Sequence, residues 1–150
     1  MKLRKAKVTD APHIQKIINQ YAEKKLMLIR SLNEIYDRIQ CFYVMEQGGK
    51  LAGCCAINIV WEDLAEIKSL AVVPKFCRKG LGTKLIQQCH KEAKKLGVKR
   101  VFALTYVPKF FEKFGYKQIT REELPHKIWA ECIKCPFFPD CNEIPLIKSI

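Results

Sequence analysis

The chain predicts an α/β (α+β) domain, and three observations carry that expectation. Strand-like and helix-like apolar patterns succeed each other as strand, two helices, three antiparallel strands, helix, strand and helix. The third of the antiparallel strands runs into Pro74, then a basic segment, then Gly80-Leu81-Gly82, and an amphipathic helix follows at once. The length of 150 residues is enough to bury one core without staples. A single domain is therefore expected over 1–150, with a regular core over 1–121 and a Cys- and Pro-rich tail over 122–150.

Each element has a local reason. Residues 2–8 alternate polar and apolar side chains, as a half-buried strand does. Thr9-Asp10-Ala11-Pro12 is a helix start, with a capping side chain and a proline in the first turn; Ile14, Ile17, Ile18 and Tyr21 then recur at helical spacing. Ser31-Leu32-Asn33-Glu34 is a capping box, followed by an apolar face of Leu32, Ile35, Tyr36 and Ile39. Phe42–Met45 and Leu51–Trp61 read as strands joined at Gly48-Gly49, and Leu64–Val73 as the next. Leu85, Cys89, Ala93 and Leu96 make the core stripe of the following helix, which Gly97 ends. Arg100–Tyr106 is a further strand, and Phe110, Phe111 and Phe114 mark a short helix. After Glu122 the prolines at 125, 136, 139 and 145 break any regular pattern.

Composition limits the partners. With 27 Lys+Arg against 15 Asp+Glu the net charge is +12, a field that attracts phosphorylated or carboxylated small molecules. Scattered lysines such as Lys2, Lys5, Lys7, Lys24 and Lys25 read as solvated surface. No basic block interleaves with exposed aromatics, which argues against nucleic acid. No stretch approaches the roughly eighteen apolar residues of a membrane span, and the N-terminus lacks a signal-peptide core. Eight cysteines in such a chain suit a reducing cytoplasm.

The junction from Glu66 to Gly82 concentrates the chemistry. Free backbone N–H groups, Arg78, Lys79 and the positive end of a helix meet at one point, which suits a diphosphate. The loop lacks the P-loop and dinucleotide-fold signatures. Cys77-Arg78-Lys79-Gly80-Leu81-Gly82 resembles instead the Gln/Arg-x-x-Gly-x-Gly/Ala loop of the GNAT superfamily of N-acetyltransferases, with Cys77 where Gln or Arg is usual. Phe110-Phe111-Glu112-Lys113-Phe114-Gly115-Tyr116 resembles a second mark of that family. The element order matches its acyl-CoA N-acyltransferase fold, a mixed sheet splayed open where acetyl-CoA lies.

The resemblance implies direct attack of an amine on the acetyl thioester. Glu66, a carboxylate inside an apolar strand, is then the general base, unless it faces solvent or merely pairs with Lys68. The amides of Leu70, Ala71 and Val72 would hold the pantetheine arm and the thioester oxygen. Cys77, Arg78, Lys79, Gly80, Leu81, Gly82, Thr83 and Phe111 are the remaining cofactor positions. Phe111 stands where many relatives carry a proton-donating tyrosine, so Tyr106, Tyr116 or water takes that part.

Leu26–Ser31, Ala65–Val72, Val101–Tyr106 and Glu122–Pro125 resemble the acetyltransferase domain of bacterial N-acetylglutamate synthases. This implies L-glutamate as acceptor, on the way to arginine, with Arg30 on a carboxylate, Leu28, Ser69 and Thr105 lining the site, and Lys127 as second cation. Two carboxylates do need two fixed cations. Another amino acid, a small amine or a protein N-terminus remains an alternative acceptor, as does a catalytically degenerate acyl-CoA-binding module. A homodimer is compatible with all of these. Cys132, Cys135 and Cys141 form C-x2-C-x5-C, which can hold zinc with a fourth ligand, form a disulfide, or pack as free thiols.

Overall fold

The amphipathic strands of the chain pair into one seven-stranded sheet, seen in a computed structural model that describes residues 1–125 and 143–150. Lys127, Cys132, Cys135 and Cys141 lie outside the described residues. Strands β1 (Lys2–Lys5), β2 (Phe42–Gln47), β3 (Lys50–Trp61) and β4 (Leu64–Val72) pair antiparallel in chain order. Helix α3 (Leu81–Lys95) then crosses over to β5 (Arg100–Thr105), which pairs parallel with β4. Helix α4 (Pro108–Glu112) leads to the short β6 (Lys117–Gln118), and β7 (Ile144–Ser149) inserts antiparallel between β5 and β6.

Strand alternation sorts the helices to opposite faces. Tyr43, Cys55, Ile57, Ile67 and Val101 point to one face and pack with Leu85, Ile86 and Cys89 of α3 and Phe111 of α4. Their neighbours Val44, Cys54 and Ala56 point to the other, against Ile14 and Ile18 of α1 (Ala11–Glu23) and Ile35 of α2 (Leu32–Asp37). A smaller cluster of Val60, Leu64, Phe102 and Leu124 continues that second face below the splay.

Two irregularities open the sheet at its centre. The β4–β5 ladder covers only Leu64–Ile67 against Arg100–Ala103. Immediately beyond it, Ala56 opposes Lys68 but Cys54 opposes Ala71, so β4 carries an extra residue at this point. That bulge contains Ser69 at a φ of 56°, a left-handed conformation rarely adopted by residues with a side chain. The strands therefore diverge after Ile67, and the far end of β4 faces the gap.

Several expectations need correction. Asp10 does not cap α1; its carboxylate accepts from the Lys7 amide at 2.7 Å and from Arg4, closing the 3-10 turn before the helix. Val8, in that turn, is exposed, as is Tyr36 on α2. Leu96 is 58% exposed at the end of α3; Leu81, Leu85, Ile86, Cys89 and Ala93 form the buried stripe instead. The largest difference lies in the tail: Ile144–Ser149 is no irregular segment but an inner strand of the sheet.

Candidate active site

The loop from Val73 to Gly80 ends in two left-handed residues, Arg78 at φ 64° and the α3 N-cap Gly80 at 77°. The helical ladder begins with Lys84 N–H donating to the Gly80 carbonyl at 3.1 Å, so the amides of Leu81, Gly82 and Thr83 precede it. Arg78 and Lys79 are exposed beside them, so unladdered amides and two cationic side chains stand together at this helix start. The two glycines serve different ends. A side chain at Gly80 would meet open space, so its positive φ is what demands glycine. At Gly82 a Cβ would lie 3.2 Å from the Phe110 ring, so here close packing of α4 on α3 is the demand.

Cys77 turns back into the loop. Its Sγ lies 3.7 Å from the Val72 carbonyl, 3.8 Å from that of Val73 and 3.6 Å from the Tyr21 hydroxyl. Tyr21, on α1, donates to the same Val72 carbonyl. Burial, with the Cys77 thiol beside it, pushes the Tyr21 phenol up to about 12, so it stays a donor at neutral pH. Tyr21 and Cys77 thus tie the end of β4 and the loop to α1.

Glu66 is 5% exposed on β4, opposite Asn58 of β3 and Phe102 of β5. Its Oε1 lies 3.6 Å from Lys68 Nζ, a pair buried on both sides. Glu66 therefore does not face solvent; it sits with a counter-charge where the sheet begins to open. Beyond it Leu70 packs towards α3 and Ala71 towards α1, and β3 takes one edge of β4. The other edge of this segment borders the gap left by β5.

A shallow, open cleft lies beside Lys68, floored by Ile35, Phe42 and Ala56. Arg30, Arg38 and Lys68 enter its wall, with Glu34 as the acidic side chain there. Ser69 and Asn58 line it too; the bulge lets Lys68 and Ser69, consecutive residues, face the same space. Arg30 is well anchored. Gln15 donates to its carbonyl at 3.3 Å, its amide donates to Asn19 at 3.4 Å, and its Nη1 lies 3.5 Å from Glu34 Oε2. Ser31 caps α2, accepting from the Glu34 amide at 3.1 Å, so the positive helix end adjoins Arg30.

Other expected residues fall differently. Thr105 closes β5, its Oγ1 accepting from Val107 N–H at 2.9 Å, and Tyr106 follows it half-buried. Leu28 is half-buried in the loop before Arg30. Phe111, expected as a cofactor position, is buried beneath α3, edge-on to Phe110 and Tyr116. Tyr116 is equally buried, with its hydroxyl 2.6 Å from His90 Nε2 of α3, which places it in the core and away from the cleft. Arg38, Gln15 and Asn19 were not foreseen, and Lys68 was expected only as a partner of Glu66. The signals were present: Arg30, Glu34 and Arg38 recur every four residues, Gln15 and Asn19 are one turn apart, and Lys68 shares a strand face with Glu66. Among the described residues no cluster of His, Cys, Asp or Glu suits a metal ion, and no helix is long and apolar enough to cross a membrane.

Several known proteins resemble the chain in sequence and fold. An uncharacterised N-acetyltransferase of Chlorobaculum tepidum is 40% identical over 99% of the chain and 96% of its own length. An amino-acid acetyltransferase of Mycobacterium tuberculosis is 32% identical over 86% of the chain and 75% of its own length. Among solved structures, N-acetylglutamate synthase from Neisseria gonorrhoeae, complexed with coenzyme A and N-acetyl-glutamate, superposes with a TM-score of 0.91 at 28% identity. That match covers 99% of the chain and 34% of the Neisseria protein. The acetyltransferase (GNAT) family model matches residues 10–116, and the chain belongs to that family of N-acetyltransferases.

Proposed function

We propose that the chain transfers the acetyl group of acetyl-CoA to the α-amine of L-glutamate. The observation that carries this is one cleft with three cationic side chains, Arg30, Arg38 and Lys68, beside a buried carboxylate at the splay of the sheet. Among the described residues Glu34 is the only acid lining the cleft, so that lining is net positive, and a substrate with two carboxylates suits it. Support also comes from the relatives named as amino-acid acetyltransferases and from the neighbour that holds N-acetyl-glutamate.

In this scheme the amides of Leu81, Gly82 and Thr83, with Arg78 and Lys79, grip the diphosphate of acetyl-CoA. The β4 segment of Leu70, Ala71 and Val72, beyond the end of the β5 ladder, aligns the pantetheine arm and offers an amide to the thioester oxygen. The amine nitrogen attacks the thioester carbonyl carbon, its proton passes to Glu66 directly or through water, and the carbon–sulfur bond breaks. The departing thiolate takes a proton from Tyr106 or solvent; a thiol pKa of about 8.5 makes that step undemanding. Arg30 receives one acceptor carboxylate.

An assay of free thiol release from acetyl-CoA, run across the amino acids, a peptide N-terminus and small amines, tests this. Turnover confined to glutamate is expected. Preference for another amine would overturn the acceptor, and acetyl-CoA binding without turnover on any amine would overturn the activity.

A further inference from the structure

We infer that the buried Lys68–Glu66 pair recognises its acceptor as a free α-amino acid, Lys68 binding the α-carboxylate while Glu66 takes the α-amine. The inference rests on the proposed acetyltransfer at this cleft but not on glutamate itself. The two side chains leave β4 at positions i and i+2, on one face, with oxygen and nitrogen 3.6 Å apart and both largely buried. An α-amino acid carries its amine and its carboxylate on one carbon, so its two charges have a spacing of the same order. The zwitterion is then the electrostatic complement of the pair: ammonium against Glu66, carboxylate against Lys68. Low local polarity strengthens both contacts.

The surroundings fit that orientation. Lys68 lines the cleft, whereas Glu66 lies just behind it at the mouth of the splay. A carboxylate on Lys68 therefore places the adjacent amine towards Glu66 and the gap that would hold the thioester. Ser69, next along the bulge with a φ of 56°, lines the same space. Arg30 and Arg38 belong to the opposite wall, at the two ends of α2, where they meet a side chain rather than the α-carbon. A peptide N-terminus has an amide in place of the α-carboxylate and lacks half of the complement. A polyamine lacks it altogether.

The test compares each acceptor with its own α-amide. Wild-type protein should prefer L-glutamate over L-glutamate α-amide by about 10- to 100-fold in kcat/KM, the worth of one charge-assisted hydrogen bond. In Lys68→Met the preference should fall to about threefold or less, and in Lys68→Arg it should persist. Because each ratio is taken on one protein, a general loss of activity does not move it. Equal use of acid and amide by the wild type, or an undiminished preference in Lys68→Met, overturns the inference. If Lys68→Met does not fold, Lys68→Gln gives the same comparison. Should the wild type ignore glutamate but acetylate another α-amino acid, that acid and its α-amide replace the pair. Glutamate as acceptor would then be wrong, while the role of Lys68 would still be decided.

Discussion

Glu66 is buried at 5% exposure in an otherwise apolar strand, and such a carboxylate persists only with a counter-charge, which Lys68 provides at 3.6 Å. If Glu66 takes the amine proton, Glu66→Gln should lower kcat by about 10²- to 10⁴-fold with little change in the KM for acetyl-CoA. An unchanged kcat would remove the assignment. Arg30→Ala should act in the other direction, raising the acceptor KM at least about tenfold while acetyl-CoA KM stays level. Steady-state kinetics with each substrate varied in turn separates the two. A third residue gives a prediction that involves no substrate. Burial, helped by Lys148 and Lys94, holds the His90 imidazole down at about 4. The folded protein therefore keeps it neutral down to about pH 4, whereas the unfolded chain protonates it near 6.5. The contribution is full above pH 6.5 and is lost as pH falls towards 4. Since the ring is only part-buried, screening reduces this to about 1–2 kcal/mol. Urea midpoints of wild type and His90→Gln should converge over that interval; a constant difference would show that His90 does not titrate this way.

At the scale of elements, the loop into α3 shows how far local pattern reaches. Strand, proline, basic residues and Gly-x-Gly were enough to place the loop and the start of α3, because glycine at positive φ and a helix start are local properties. The reason for the second glycine was not legible, since Phe110 approaches Gly82 from a helix distant in sequence. Gly80→Ala should cost about 1–2 kcal/mol through its left-handed backbone, and it should raise the KM for acetyl-CoA more than that of the acceptor. Gly82→Ala should act through the Phe110 contact and lower thermal stability as well. Equal acceptor and cofactor effects for Gly80→Ala would argue that the loop does not hold the phosphates. Helix starts show the same contrast. The Ser31 cap was readable from its own four residues, but Asp10 was not, because Arg4 and the Lys7 amide compete for its carboxylate. Cys77 likewise departs from the family loop, and only the fold brings Tyr21 and the Val72 carbonyl to it.

Across the whole molecule, the order of strands up to β5 followed from periodicity, while the far edge of the sheet did not. Pro145 is the reason: proline removes a ladder donor and argues against an inner strand, yet it stands opposite Leu104 of β5, and its carbonyl accepts from Ile119 N–H at 3.0 Å. The cleft proposed for the acceptor was legible only in part for a related reason. Arg30 announces itself beside a helix cap, but Arg38 after α2 and Lys68 on β4 meet it only through the tertiary fold, which no local pattern encodes. The inner position of β7 has an energetic consequence. Leu146 is fully buried, pairs with Ala103 and Gln118, and packs in the core shared by α3 and α4. Leu146→Ala should therefore cost about 2–5 kcal/mol, lowering Tm by roughly 5–15 °C, whereas Ser149→Ala at the exposed end of the strand should be nearly neutral. If β7 instead lay loosely on the sheet, the two substitutions would be equally mild, and calorimetry on the pair decides between them. The same strand braces the part of β5 that parts from β4, since Leu104 and Thr105 pair with Pro145 and Ile144. A destabilised β7 should accordingly lower kcat before it unfolds the protein, as the wall carrying Tyr106 loses its support.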